Sequence, residues 1–278
     1  MKQTSNYFLL ALLLTVPADA AVLNLVVTGY AAGSLPIFNT STDIPGGGTS
    51  ANTVAAPVGS FVDFTIGNAD AIVGDEFLAT NINTLPTVAT LRVTISALSA
   101  GSEFMLARTS NSQGLTDVGT ISFLLNGAAN LAQSATLQFE WRNADNNALL
   151  GGADQFLITT YDIDFSQRNS IAVADYESLQ FAEFTLLDSS TSAGITSIFD
   201  PDNTNAEFDN PLNGALIKTV AGDNTQTISV DKLDNAAGNQ LYMFSFRSPS
   251  PLIPAAIPEP GTVTLAVMGA MALLRRRR

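Results

Sequence analysis

Two aspartates one residue apart are the first groups in this chain that could do chemistry. In Tyr161-Asp162-Ile163-Asp164-Phe165, strand periodicity puts Asp162 and Asp164 on one face and Tyr161, Ile163 and Phe165 on the other. Like charges so placed repel unless water or a cation lies between them. Calcium, which takes several oxygen ligands, is the cation such a pair would suit. Asp145, Asn146, Asn147 and Asp154 precede the pair and add oxygen donors. A solvated outer face, with Arg142 or Arg168 as ordinary charge partners, explains the same residues without a metal and is preferred, because no strict loop spacing is present. Asp200 and Asp202 open a second acidic stretch that starts like a calcium loop. Asn205 then stands where the sharp turn needs glycine, and Pro211 where a bidentate glutamate belongs. Asx-turn chemistry accounts for that stretch without an ion. Calcium at Asp162, Asp164, Asp200 and Asp202 therefore stands as a secondary expectation beside a cofactor-free body.

The chain has no histidine and no cysteine. Ser-His-Asp and Cys-His catalysis are excluded, as are His-ligated zinc and copper sites, thiol chemistry and disulfides. What remains is a pair of carboxylates, drawn from Glu140, Asp164 and Glu183, or serine with Lys218 or Lys232. No motif sets a nucleophile beside a base, and Trp141, the single tryptophan, is expected in the core rather than under a sugar. The expectation is a protein that is not an enzyme. A formal net charge of −13 argues against nucleic acid, which demands phosphate neutralisation. It suits solubility, cation binding or neutral-sugar surroundings.

The elements that must position these groups are short strands. Leu91-Arg92-Val93-Thr94-Ile95-Ser96 alternates apolar and polar without exception. Ala135–Arg142 does the same, with Leu137, Phe139 and Trp141 inward and Gln138, Glu140 and Arg142 outward. Similar segments are Val22–Val27, Phe61–Ile66, Ile121–Leu125, Phe156–Phe165, Phe181–Leu187, Ile195–Phe199, Leu216–Val220, Thr225–Val230 and Leu241–Arg247. Clusters of Asn, Asp, Gly and Ser separate them, which predicts an all-β antiparallel sandwich or jelly-roll-like body. Ile171–Leu179 reads equally as a short helix capped by Ser170 or as a strand entering a turn.

Both ends carry addresses. Met1–Ala20 has Lys2, an apolar run through Leu14, a break at Pro17 and a small-x-small site at Ala18-Asp19-Ala20, which predicts a signal peptide cleaved before Ala21. At the other end, Pro258-Glu259-Pro260-Gly261 is followed by the uncharged stretch Thr262–Leu274 and by Arg275, Arg276, Arg277 and Arg278. Pro260 suits a first helical turn. The thirteen uncharged residues reach only about 20 Å as a helix, against a hydrocarbon core of roughly 30 Å. The arginine cluster predicts a cytoplasmic C-terminus. These features predict a short transmembrane helix that engages the inner membrane only transiently.

The same three parts resemble the PEP-CTERM sorting signal of Gram-negative bacteria, which covers only the C-terminal tail. The resemblance implies processing near Pro258-Glu259-Pro260 by an exosortase and delivery to the cell envelope, the cell surface or an extracellular matrix. The expected organisation is a signal peptide (1–20), a β-sandwich body (21–247), a Pro-rich linker (248–257) and the sorting tail (258–278). The expected role is structural or adhesive, among exopolysaccharide or other matrix proteins. The alternative is a carbohydrate-binding module, with a calcium-dependent version of it, or less readily a carbohydrate-cleaving one.

Overall fold

The computed structural model describes residues 22–23, 25–31, 56–68, 82–83, 89–108, 121–150, 154–161, 163, 166–182, 185–202, 214–234, 239–246 and 254–255. The signal peptide, the sorting tail, Asp162 and Asp164 lie outside them. Chain order begins with β1 (Val22–Leu23), β2 (Leu25–Tyr30), β3 (Phe61–Asn68), β4 (Ile82–Asn83), β5 (Ala89–Leu98) and β6 (Glu103–Arg108). It continues through β7 (Ile121–Asn126), β8 (Gln133–Asn143), β9 (Gln155–Tyr161), β10 (Gln167–Ala172), β11 (Tyr176–Ala182) and β12 (Asp188–Ser192). The last five are β13 (Ile195–Phe199), β14 (Ala215–Thr219), β15 (Thr225–Lys232), β16 (Asn239–Ser245) and β17 (Pro254–Ala255). No α-helix occurs among the described residues; a single 3₁₀ turn, Val173–Asp175, joins β10 to β11.

The strands form two sheets. One has eight strands in the order β12-β13-β10-β15-β8-β5-β3-β2, antiparallel throughout. The other has the path β17-β11-β14-β9-β16-β7-β6 with β1 and β4 attached. Its exceptions to antiparallel pairing are β1 with β9 and β1 with β4. The first is a local repair: β16 covers β9 only at Thr159–Tyr161, so β1 takes the vacant edge at Gln155 and Phe156. The Leu25 amide then donates to the Phe246 carbonyl at 2.8 Å, closing the join.

Alternation does what the sequence predicts in the eight-stranded sheet. Val62, Phe64 and Ile66, then Leu91, Val93 and Ile95, then Leu137, Phe139 and Trp141 are buried, with half-exposed residues between them. These side chains meet Ile121, Phe123, Phe156, Ile158, Tyr242 and Phe244 of the other sheet in one core. Trp141 stacks on Phe156 with ring centroids 4.2 Å apart, and Phe139 meets Phe244 edge-on at 5.3 Å, geometries that aromatic quadrupoles favour. The two sheets therefore pack face to face as a sandwich.

The nine-stranded sheet is buried on both faces. Leu124, Leu157, Tyr161, Leu216 and Met243 point away from the main core and are buried too, and Val22, Leu157 and Leu216 make a second small cluster. The near-continuous burial along β7 and β9 matches that two-sided packing. The eight-stranded sheet consequently supplies the broad face that meets solvent.

Where alternation and local propensity compete, the sheet wins. Ile171–Leu179 is not a helix: β10 runs to Ala172, one 3₁₀ turn follows, and β11 starts at Tyr176. Ser170 is no N-cap; its hydroxyl sits 3.0 Å from that of Ser197. The strand placed at Phe181–Leu187 begins earlier, at Tyr176, because Leu179 and Phe181 serve the core.

One end of the sandwich interior is polar. Gln167, Lys232 and Gln133 are register neighbours on β10, β15 and β8, all buried on the inner face. The Gln167 amide donates to the Gln240 carbonyl at 2.8 Å across the sandwich. Lys232 Nζ donates to the Ala128 carbonyl at 2.7 Å, and burial pushes the Lys232 pKa below its usual 10.5. The native state thus binds this proton less readily than the unfolded chain. Its burial penalty is full at low pH and disappears as pH rises through the depressed pKa towards 10.5. In urea unfolding, the stability of the wild type minus that of Lys232→Met is expected to grow from pH 7 to about pH 10. A difference independent of pH would refute this.

Candidate functional site

The outward residues of the eight-stranded sheet fall into rows fixed by strand register. The central row is made of hydroxyls: Thr136, Ser229, Ser170, Ser197 and Ser190 face one another in turn on β8, β15, β10, β13 and β12. All five are half-exposed or exposed. Thr136 and Ser229 hydroxyls lie 3.0 Å apart, Ser170 and Ser197 likewise, and Ser96 Oγ donates to the Thr136 carbonyl at 3.1 Å. Thr136, Ser229, Ser170 and Ser197 are thus partnered in two pairs. Their rotors are fixed while each keeps hydrogen-bonding capacity to spare, since a hydroxyl offers one donor and two acceptor positions.

Beside this row, towards the start of β8, lie Ser134, Asp231, Arg168, Phe199 and Asp188 in matching register. Arg168 Nε donates to Asp231 Oδ2 at 2.9 Å. Phe199 is half-exposed between Arg168 and Asp188. On the other side come Phe61, Thr94, Gln138 and Thr227, then Asp63, Arg92, Glu140 and Thr225. Arg92 grips both Asp63 carboxylate oxygens at 2.7 and 2.8 Å and lies over the Phe61 ring at 4.0 Å. The Asp63 hydrogen bond outweighs burial and holds the Arg92 pKa above its usual value. Arg142 pairs with Glu140 at 3.0 Å. The face is therefore a neutral band of hydroxyls and amides bounded by ion pairs on both sides.

Of the described residues singled out for metal or acid–base chemistry, Glu140 stands on this face, paired to Arg142. Asp200 and Asp202 are neighbours in a turn: Asp200 is buried, and its Oδ1 accepts the Asp202 backbone N–H at 2.9 Å. That is the Asx turn expected at the start of this stretch. Asn143 Oδ1 and Asn146 Oδ1 accept the amides of Asp145 and Ala148 at 2.8 and 3.0 Å, so these two side chains serve the loop's own backbone. Arg142 and Arg168, the expected charge partners, are paired to Glu140 and Asp231. Trp141 is fully buried, as expected of a core residue. Asp164, Glu183, Ala18, Ala20, Ala21, Pro258 to Gly261 and Arg275 to Arg278 lie outside the described residues. Among the described residues, no group of three acidic side chains could hold a metal ion.

One carboxyl departs upward from its usual range. Asp175, on the 3₁₀ turn, is raised by burial and then by the nearby Asp223 carboxylate, against a hydrogen bond from the Thr227 backbone. Sequence reasoning passed over it. It also passed over the hydroxyl row, because two of the five strands carrying that row were not foreseen.

Two packed antiparallel sheets with one polar outer face define the described body as an all-β sandwich. Its C-terminal residues 256–278 match the family described as the PEP-CTERM protein-sorting motif. The match sits where an exosortase substrate carries its signal, and it indicates export and association with the cell envelope. No curated protein matches the chain. Among solved structures it is similar to the N-terminal domain of the Streptococcus gordonii adhesin Sgo0707, with a TM-score of 0.43 and 10% identity. That alignment covers 84% of this chain and 63% of the other, so this chain spans less than two thirds of that one's length.

Proposed function

We propose that this protein is an exported structural or adhesive component of the cell surface or extracellular polysaccharide matrix of a Gram-negative bacterium. An exosortase processes it near Pro258-Glu259-Pro260 after a signal peptide has directed export. The observation that carries this reading is the sorting-motif match at residues 256–278. The body supports a passive role. Arg92, Arg142 and Arg168 on its open face are engaged by Asp63, Glu140 and Asp231, and Ser229, Ser170 and Ser197 of the central row are partnered by the hydroxyls of Thr136, Ser197 and Ser170.

In this reading the body works without a cofactor and without turning over a substrate. Fractionation of the native host is the test. The protein is expected outside the inner membrane, with the surface or matrix material, and its melting temperature is expected to be the same in EDTA and in calcium. Recovery in the cytoplasm would overturn the export reading, and a calcium-dependent rise in melting temperature would overturn the cofactor-free one.

A further inference from the structure

The outer face of the eight-stranded sheet has the layout of a contact surface for a polymer, and its chemistry narrows the partner. Neighbouring strands are about 4.8 Å apart, so the five-strand row from Thr136 to Ser190 offers hydroxyls over roughly 19 Å. That step is close to the advance of one sugar in an extended β-linked chain. We infer that this band docks an extended, neutral polysaccharide, with its hydroxyls along Thr136, Ser229, Ser170 and Ser197 and one sugar ring stacked on Phe199. The inference rests on the reading that the protein works outside the cell among glycans, and it names the surface and the polymer class.

Three observations carry it. The row is already organised, since Thr136 with Ser229 and Ser170 with Ser197 are hydrogen-bonded pairs at 3.0 Å; little rotamer freedom remains to be lost on binding. Phe199 is a half-exposed aromatic next to that row, flanked in register by Arg168 and Asp188. An apolar ring beside polar groups suits the C–H face and hydroxyl rim of a sugar. Charge excludes the main competitors. Among the described residues of the band, Arg92, Arg142 and Arg168 are all paired, at 2.7, 3.0 and 2.9 Å, and offer a polyuronate or nucleic acid no unpaired cation to seize. The chain as a whole, at −13, repels polyanions. The band is a broad open face, which fits side-on attachment to a long chain.

The test is affinity electrophoresis of the exported protein, purified from its host, through gels containing one of five neutral polymers. These are hydroxyethylcellulose, laminarin, xyloglucan, galactomannan and dextran, with alginate as the anionic control. Retardation by at least one neutral polymer and none by alginate is expected. Phe199→Ala, and separately Ser170→Val with Ser229→Val, should weaken that retardation about tenfold, as loss of a central contact does. The valine pair suits half-buried strand positions and decides the matter if Phe199→Ala melts early. No retardation by any of the five, stronger retardation by alginate, or full retardation of both folded variants would overturn the inference. A protein that is exported and processed yet not retarded would sink this inference alone; one held in the cytoplasm would sink the reading beneath it.

Discussion

Trp141→Ala is expected to lower the stability of the body by about 3–5 kcal/mol, the cost of deleting a large buried aromatic. Trp141 is fully buried in the middle of the sandwich. It stacks on Phe156 at 4.2 Å and stands edge-on to Phe246 at 6.2 Å. Phe156 and Phe246 come from the strand and chain segment that β1 and Leu25 close against. Truncation therefore opens a cavity where the two sheets and the first strands meet. The partners are held by their own ladders and cannot collapse into the space, which puts the cost in the upper part of the usual range. A loss of this size corresponds to roughly 6–20 °C in melting temperature for a domain this large. Trp141→Phe should cost much less, because the stack with Phe156 survives and the indole N–H has no acceptor to lose. Thermal melting and urea unfolding of both variants check this. An alanine variant that loses less than about 1 kcal/mol would place Trp141 outside the decisive packing.

Alanine at Pro258, Glu259 and Pro260 is expected to leave the protein as an unprocessed precursor in the inner-membrane fraction. The C-terminal match lies at residues 256–278, and the three residues form the break before the apolar stretch. Pro260 is suited to start the helix there. The stretch Thr262–Leu274 is short for a permanent span, and in the proposed sorting Arg275–Arg278 would keep its end at the cytoplasmic surface. In the proposed function such a tail would keep the protein at the membrane until it is cut. The comparison is the ratio of precursor to processed protein by immunoblot of fractionated cells, with the wild type almost wholly processed. Equal processing of the triple variant would separate the motif from the event.

The parts of this fold that were legible in the sequence are those where alternation is strict. β5 and β8 could be read residue by residue because Leu91, Val93, Leu137, Phe139 and Trp141 alternate with polar residues and nothing local opposes them. β12 escaped because Asp188-Ser189-Ser190-Thr191-Ser192 has no apolar residue at all. It is an edge strand held only by pairing to β13, and pairing leaves no periodic trace. β10 escaped for a different reason: its inward positions include Gln167 and Asn169, buried polar groups whose partners come from distant strands. The Gln167 amide finds Gln240, and Asn169 finds Thr160.

The candidate surface was hidden by the same gap. Each of its hydroxyls belongs to an ordinary Ser or Thr in its own segment, Ser170 standing out only as a candidate helix cap, and only register across five strands lines them up. The acidic residues were conspicuous because charge is visible in a sequence. Asp200 shows how such a signal can be spent locally, in a turn that needs an acceptor for the Asp202 amide. The tail was legible because a short linear signal depends on order along the chain and not on folding.

The most direct measurement is C-terminal mass spectrometry of the mature protein from its native host. Sorting by the tail predicts a C-terminus close to Pro258-Glu259-Pro260, with Thr262–Leu274 and all four terminal arginines gone. A mature protein that still ends at Arg278 would contradict it.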